Sequence, residues 1–106
     1  MSTTATETAL PMPARDELRL EDVLQALGDP LRLSVVRELD GLDEPRACGT
    51  FALPVSKSTA SHHFRVLREA GVIQQRPEGR RKLTELRRDD LDARFPGLLD
   101  SVLNAR

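Results

Sequence analysis

The sequence has no tryptophan and no tyrosine, and only three phenylalanines. Aromatic stacking platforms for single-stranded nucleic acid and aromatic cages for cationic ligands are therefore nearly excluded on supply alone. There is one cysteine, Cys48. It rules out an intramolecular disulfide and a multi-thiolate zinc site built by one chain. No run of 18 apolar residues is present, so nothing is expected to span a membrane. The first fourteen residues contain no Lys or Arg and no apolar stretch, unlike a secretory signal, so a cytoplasmic location is the default expectation. A length of 106 residues gives room for one domain and none for a two-lobed enzyme with a cleft between lobes. A lone domain of this size buries only about two-thirds of its unfolded surface, which favours help from a partner subunit.

Net charge is also scarce, at −1 overall. The average hides an asymmetry. Residues 1–53 hold 5 basic and 10 acidic side chains, residues 54–88 hold 9 and 3, and residues 89–106 hold 2 and 4. A basic block inside an acidic chain is an electrostatic footprint for a polyanion. The alternative is a merely solvated face with scattered arginines.

Residues 1–16 are rich in Thr, Ala and Pro and read as a disordered tail, with one domain over 17–106. Leu20, Val23, Leu24 and Leu27 then recur at helical spacing, and Gly28 stops that helix. Asp29-Pro30 is a start signal, an acidic N-cap before proline at the first helical position. Leu31, Val35, Val36 and Leu39 give the next apolar stripe. Residues 40–46 read as a loop, followed by a short helix around Ala47 to Leu53 and a Pro54-Val55-Ser56 turn. Ser56 is a fitting N-cap for a helix from Lys57 to about Ala70, with Gly71 as its stop. Val72–Arg76 and Lys82–Arg87 are extended candidates around Pro77-Glu78-Gly79-Arg80, which predicts a hairpin. A helical stretch follows around Leu91, interrupted at Phe95-Pro96. Leu98, Leu99, Val102 and Leu103 form a last amphipathic stripe. The predicted fold is mostly α with a small β-hairpin: a helix-turn-helix followed by a basic wing.

At 100° per residue, Ala60, Phe64 and Leu67 fall on one face of the 57–70 helix, with His63 on its flank. Ser58, Ser61, His62 and Arg65 fall opposite, with Lys57 in the first turn and Thr59 to the side. An ordinary exposed helix face carries Glu/Lys pairs at i,i+4 instead, and a Ser/Thr/His-rich face is poor for helix propensity. Such a face suits the major groove of double-stranded DNA, where small polar side chains meet base edges and phosphates. The hairpin adds Arg76, Arg80, Arg81 and Lys82, whose mutual repulsion a phosphate backbone would relieve. The candidate DNA-binding residues are therefore Lys57, Ser58, Thr59, Ser61, His62 and Arg65 on the helix, with those four cations on the wing (76–82).

Two stretches resemble ArsR/SmtB-type winged-helix repressors. One is Ala26-Leu27-Gly28-Asp29-Pro30-Leu31-Arg32-Leu33. The other runs Ser56-Lys57-Ser58-Thr59-Ala60-Ser61-His62-His63-Phe64-Arg65-Val66-Leu67-Arg68-Glu69-Ala70-Gly71-Val72-Ile73, and Arg76–Leu86 looks like that family's wing. The resemblance covers roughly residues 18–103. It implies a homodimeric bacterial repressor whose first and last helices form the subunit interface. Carried onto this chain, the interface would use Leu18, Leu20, Val23 and Leu24 with Leu91, Leu98, Leu99, Val102 and Leu103. The chain departs from the family's sensor types. It has one thiol at Arg46-Ala47-Cys48-Gly49-Thr50 where thiolate sensors carry a pair. The last helix offers Asp89, Asp90, Asp92 and Asp100 without histidine. Adjacent His62 and His63 diverge by 100° on a helix and do not chelate together easily. No metal and no cofactor is expected, and a small-molecule effector is left unspecified.

Cys48 has two readings, a small buried hydrophobe or a redox-responsive thiol activated by Arg46 and a helix N-terminus. Two other functions compete with DNA binding. A winged-helix protein-interaction module would not need the basic block. A hydrolase using Cys48 and a histidine would need a cleft and a Gly-rich oxyanion turn that the sequence does not offer. RNA binding lacks stacking residues.

Overall fold

The computed structural model describes residues 9–105. Among these the chain forms five helices and three strands: α1 (Leu20–Leu27), α2 (Pro30–Leu39), β1 (Arg46–Ala47), α3 (Lys57–Ala70), β2 (Ile73–Glu78), β3 (Arg81–Leu86), α4 (Arg88–Arg94) and α5 (Leu98–Asn104). The strands form an antiparallel sheet of order β1-β3-β2, against which α2 and α3 pack. This is a winged helix-turn-helix.

Local chemistry sets the helix boundaries. Asp29 Oδ2 accepts from the Leu31 and Arg32 amides, both at 3.0 Å, and Pro30 occupies the first turn of α2 where no amide is needed. These amide bonds, Arg32's foremost, hold the Asp29 carboxyl below its ordinary range. Ser56 Oγ accepts from the Thr59 amide at 3.2 Å and starts α3. At the other end Gly71 adopts φ +87°. Its amide bonds Arg68 O and the Val72 amide bonds Leu67 O at 2.9 Å, a doubly bonded stop sealed by contact between buried Leu67 and Val72. The bounds of α3 and its cap and stop residues are those predicted.

The segment before α3 differs from expectation. Residues 47–53 are not a helix. Arg46 and Ala47 pair with Thr84 and Leu83 as β1, and Cys48–Thr50 make one 3-10 turn. Gly49 and Thr50 are weak helix formers, and β3 offers an open edge. Arg46 fixes the turn by donating to Thr50 Oγ1 and Thr50 O, both at 2.9 Å, while its guanidinium lies 4.1 Å over the Phe51 ring. Phe51 in turn leans on Phe64 of α3, with ring centroids 5.5 Å apart. The wing is correspondingly longer than predicted. Glu78 pairs with Arg81 across a two-residue Gly79-Arg80 turn, and Pro77 sits inside β2. Proline is tolerated there because β2 is a sheet edge.

Residues 9–16 also depart from the predicted tail. The Leu10 amide donates to Gln75 O at 2.7 Å on the open edge of β2. Arg68 and Arg87 donate to the carbonyls of Pro11 and Pro13 at 3.1 and 2.7 Å. Arg15 joins Asp90 at 2.6 Å, and Asp90 also meets buried Arg87. The Arg15 bond, then that from Arg87, holds the Asp90 carboxyl low. Residues 1–8 of that predicted tail lie outside the described residues.

The core lies between the helices and the sheet, with Leu18, Val23, Val35, Val36, Leu67, Val72, Ile73, Leu91 and Leu99 almost fully buried. Arg88 at the start of α4 reaches Asp40, Asp92 and Asp100 at 2.6, 3.3 and 3.0 Å, so one guanidinium ties α4 and α5 to the end of α2. Among the described residues no helix is long and apolar enough to cross a membrane.

Candidate nucleic-acid interface

Burial divides α3 as the helical projection predicts. Phe64, Leu67 and Ala70 are buried, Ala60 and His63 are half-buried, and Lys57, Ser58, Thr59, Ser61, His62 and Arg65 are exposed. The hydroxyls at the helix start form a small network. Ser56 Oγ donates to Thr59 Oγ1 at 3.0 Å and lies 3.2 Å from Ser58 Oγ. Thr59 is thereby half-engaged in capping, whereas Ser61, His62 and Arg65 face solvent one and two turns further on. The outer face of α3 carries no carboxylate until Glu69 in the last turn.

His63 has a different job from its neighbour. Its Nδ1 lies 3.0 Å from Arg32 Nη1 and 3.9 Å from Asp29 Oδ2, and Arg32 Nε also donates to Ala26 O at 2.8 Å. A guanidinium only donates, so Nδ1 accepts in that pairing. The contact locks α3 onto the junction of α1 and α2, leaving His62 alone to face outward.

The wing cations Arg76, Arg80, Arg81 and Lys82 are all exposed. They are not equivalent. Arg81 pairs with Glu78 at 2.6 Å across the turn, which offsets part of its charge. Lys82 lines a groove of about 510 Å³ together with Ser58, Ser61, His62 and Arg65 of α3. The wing base and the outer face of α3 therefore form one surface, while Arg80 and Arg81 stand apart at the tip.

Arg68 and Gln75 also line this groove and were not among the predicted residues. Arg68 Nη1 donates to Gln75 Oε1 at 2.9 Å, and Gln75 Nε2 donates to Thr84 Oγ1 at 3.1 Å, with Gln75 and Thr84 buried. This chain of bonds fixes the wing against α3. The glutamine pair in Ile73-Gln74-Gln75-Arg76, polar where an apolar strand face is due, is the one signal in the sequence. Cys48 is half-buried in the same groove. Arg46 does not serve it, because that guanidinium is committed to Glu38, Thr50 and Phe51. Among the described residues no three His, Cys, Asp or Glu side chains group closely enough to hold a metal ion.

The predicted interface leucines fall into two sets. Leu18, Val23, Leu91 and Leu99 are already buried within the chain and have no free surface to offer a partner. The interface that the resemblance implied is, at these positions, the domain's own core. Leu20 and Leu24 are 43% and 46% exposed, one turn apart on α1. Leu98, Val102 and Leu103 are half-buried on α5.

A helix with a Ser/His/Arg outer face, packed on α1 and α2 and flanked by a basic hairpin, defines the winged helix-turn-helix class of DNA-binding proteins. Comparison with known proteins agrees. A helix-turn-helix domain family matches residues 27–76. The chain is 35% identical over 89 residues to the helix-turn-helix-type transcriptional regulator YceK of Bacillus subtilis, a match covering 82% of this chain and 88% of that protein. It is 39% identical over 64 residues to the regulator Rv2034 of Mycobacterium tuberculosis, covering 58% of each. It is 32% identical over 59 residues to the regulator MJ1325 of Methanocaldococcus jannaschii, covering 55% of this chain and 66% of that one. The chain belongs to the helix-turn-helix family of transcriptional regulators, and it is a DNA-binding regulator of transcription.

Proposed function

We propose that this regulator is a homodimeric repressor of the ArsR/SmtB type that acts in the cytoplasm by occupying a promoter. The observation that carries the reading is the outer face of α3, where Lys57, Ser58, Thr59, Ser61, His62 and Arg65 are all exposed, with Lys82 of the wing on the same groove. In this reading α3 enters the major groove, Ser61, His62 and Arg65 meet base edges, and the wing follows the phosphate backbone. The subunits meet through Leu20 and Leu24 of α1 and the outer side of α5, since two large apolar side chains one turn apart on a charged helix call for cover. Two α3 helices then reach half-sites about one helical turn apart. The protein acts as a binder rather than an enzyme, and one thiol with no histidine on the last helix gives it no metal cofactor.

Fluorescence anisotropy tests this, with duplex DNA from upstream of the protein's own gene, unrelated duplex as control, and several salt concentrations. The expected result is selective binding that weakens about a thousandfold or more between 50 and 200 mM salt, for a dimer meeting roughly 6–10 phosphates. Sedimentation should give a dimer at the same concentrations. A monomer that binds no duplex at low salt would overturn the reading in favour of a protein-interaction module.

A further inference from the structure

Several guanidinium groups on the surface are paired with carboxylates: Arg46 meets Glu38, Arg81 meets Glu78, and Arg88 meets three aspartates. The cations lining the groove between α3 and the wing are not. No carboxylate lines it, although Arg65, Arg68 and Lys82 all do. Among the described residues, none of these three forms an ion pair with a carboxylate.

Arg68 is the centre of this arrangement. It is half-buried and held from two sides, by Pro11 O at Nε and by Gln75 Oε1 at Nη1. Both acceptors are neutral, so the guanidinium is fixed in place with its charge intact. Its Nη2 makes no hydrogen bond among the described residues. A partly desolvated cation with spare donors is stabilised by an anion, and a donor already fixed loses little entropy on binding one. Ser58 and Ser61 supply hydroxyl donors at the rim. The volume of about 510 Å³ lies in the ~300–1,000 Å³ range of small-ligand sites.

We propose that this groove is an anion seat that holds one phosphate group on Arg68, Arg65 and Lys82, and that filling it covers Cys48. The phosphate comes either from the backbone of bound DNA or from a small phosphorylated molecule that competes with DNA for the seat. Only the first source rests on the DNA-binding reading.

The single cysteine makes the seat measurable in the full-length protein. Alkylation of Cys48 by N-ethylmaleimide is followed alone, with inorganic phosphate, and with the upstream duplex, at matched ionic strength. Only the empty fraction reacts, so a ligand at about ten times its Kd should slow the reaction about tenfold. Protection by the duplex alone assigns the phosphate to DNA. Protection by inorganic phosphate establishes that the seat takes a free phosphate, and stands even if no duplex binds. In either case Lys82→Gln, at an exposed position that leaves the fold intact, and Arg68→Gln should abolish protection. Phosphorus-31 linewidths of inorganic phosphate, titrated with protein, give a readout independent of the thiol. Duplex binding by anisotropy with unchanged Cys48 reactivity and an unbroadened phosphate signal overturns the seat and leaves the DNA reading standing.

Discussion

Replacing Gly71 with alanine tests how the end of α3 is built. Gly71 sits at φ +87°, and an added Cβ would overlap Leu18 Cδ2 and lie 3.1 Å from Pro13 Cγ. Two costs follow. The left-handed backbone costs an alanine about 1–2 kcal/mol. Forcing a methyl against Leu18, which is 1% exposed and has nowhere to move, adds about 1–3 kcal/mol. The total of about 2–5 kcal/mol is a large share of the ~5–15 kcal/mol that holds a domain folded, and lowers Tm by at least about 10 °C. Gly41 supplies the control. It has the same φ of +87°, and a Cβ added there would have nothing within 4 Å, so Gly41→Ala carries the backbone cost alone. Urea unfolding should be followed by far-ultraviolet circular dichroism, because a chain without Trp or Tyr has little intrinsic fluorescence. Leu18→Ala in the Gly71→Ala background frees the space, so the two losses should sum to more than the double variant shows. If Gly71→Ala is no less stable than Gly41→Ala, the packing of Leu18 under the helix stop is wrong.

Arg80→Ala removes an unpaired wing cation and, in the proposed dimer, two phosphate contacts, so the slope of log K against log salt should fall by about 1.8. Arg81→Ala should change it less, because Glu78 already holds that guanidinium; equal slopes for both variants would remove the tip from the interface. His62→Ala should cost about 1–3 kcal/mol of discrimination between specific and unrelated duplex, and equal losses on both would make His62 a backbone contact. Leu24→Glu should dissociate the dimer in sedimentation while leaving monomer secondary structure intact, since Leu24 is not part of the core; an unchanged dimer would move the interface elsewhere. Asp29 has a folded pKa below its unfolded one, so its contribution is complete above about pH 4 and is lost as pH falls through the lowered value. Asn also caps a helix but does not titrate there, so Asp29→Asn should show a shallower loss of Tm in acid; parallel acid limbs would remove Asp29 from the acid response.

The parts of this molecule that were legible in the sequence are those whose causes are local. Asp29-Pro30, Ser56 and Gly71 act on amides within a turn of themselves, and the α3 stripe repeats within one helix, so its inner and outer faces could be assigned from spacing. The missed parts depend on distant partners. Arg46-Ala47 is a strand only because Leu83-Thr84 lies beside it. Pro11 and Pro13 read as tail by composition, yet their carbonyls are fastened by arginines more than fifty residues away. Periodicity also marks an apolar face without saying what covers it. That is why Leu18 and Leu99 could not be told from Leu20 and Leu24. Arg68 carries no mark of its role in the sequence, because that role comes from its pairing with Gln75, in a strand beyond the end of its helix.

The two-residue strand β1 has a mechanical consequence. It supports β3 only at Leu83 and Thr84, so the sheet is three strands wide there and two strands wide from Lys82 to the Gly79-Arg80 turn. Stiffness therefore drops abruptly along the hairpin, as in a cantilever clamped at one end. The clamped part carries Gln75 and holds the angle to α3. The free part carries Arg80 and Arg81, and in the proposed complex it would bend to follow backbones of different groove width without disturbing α3.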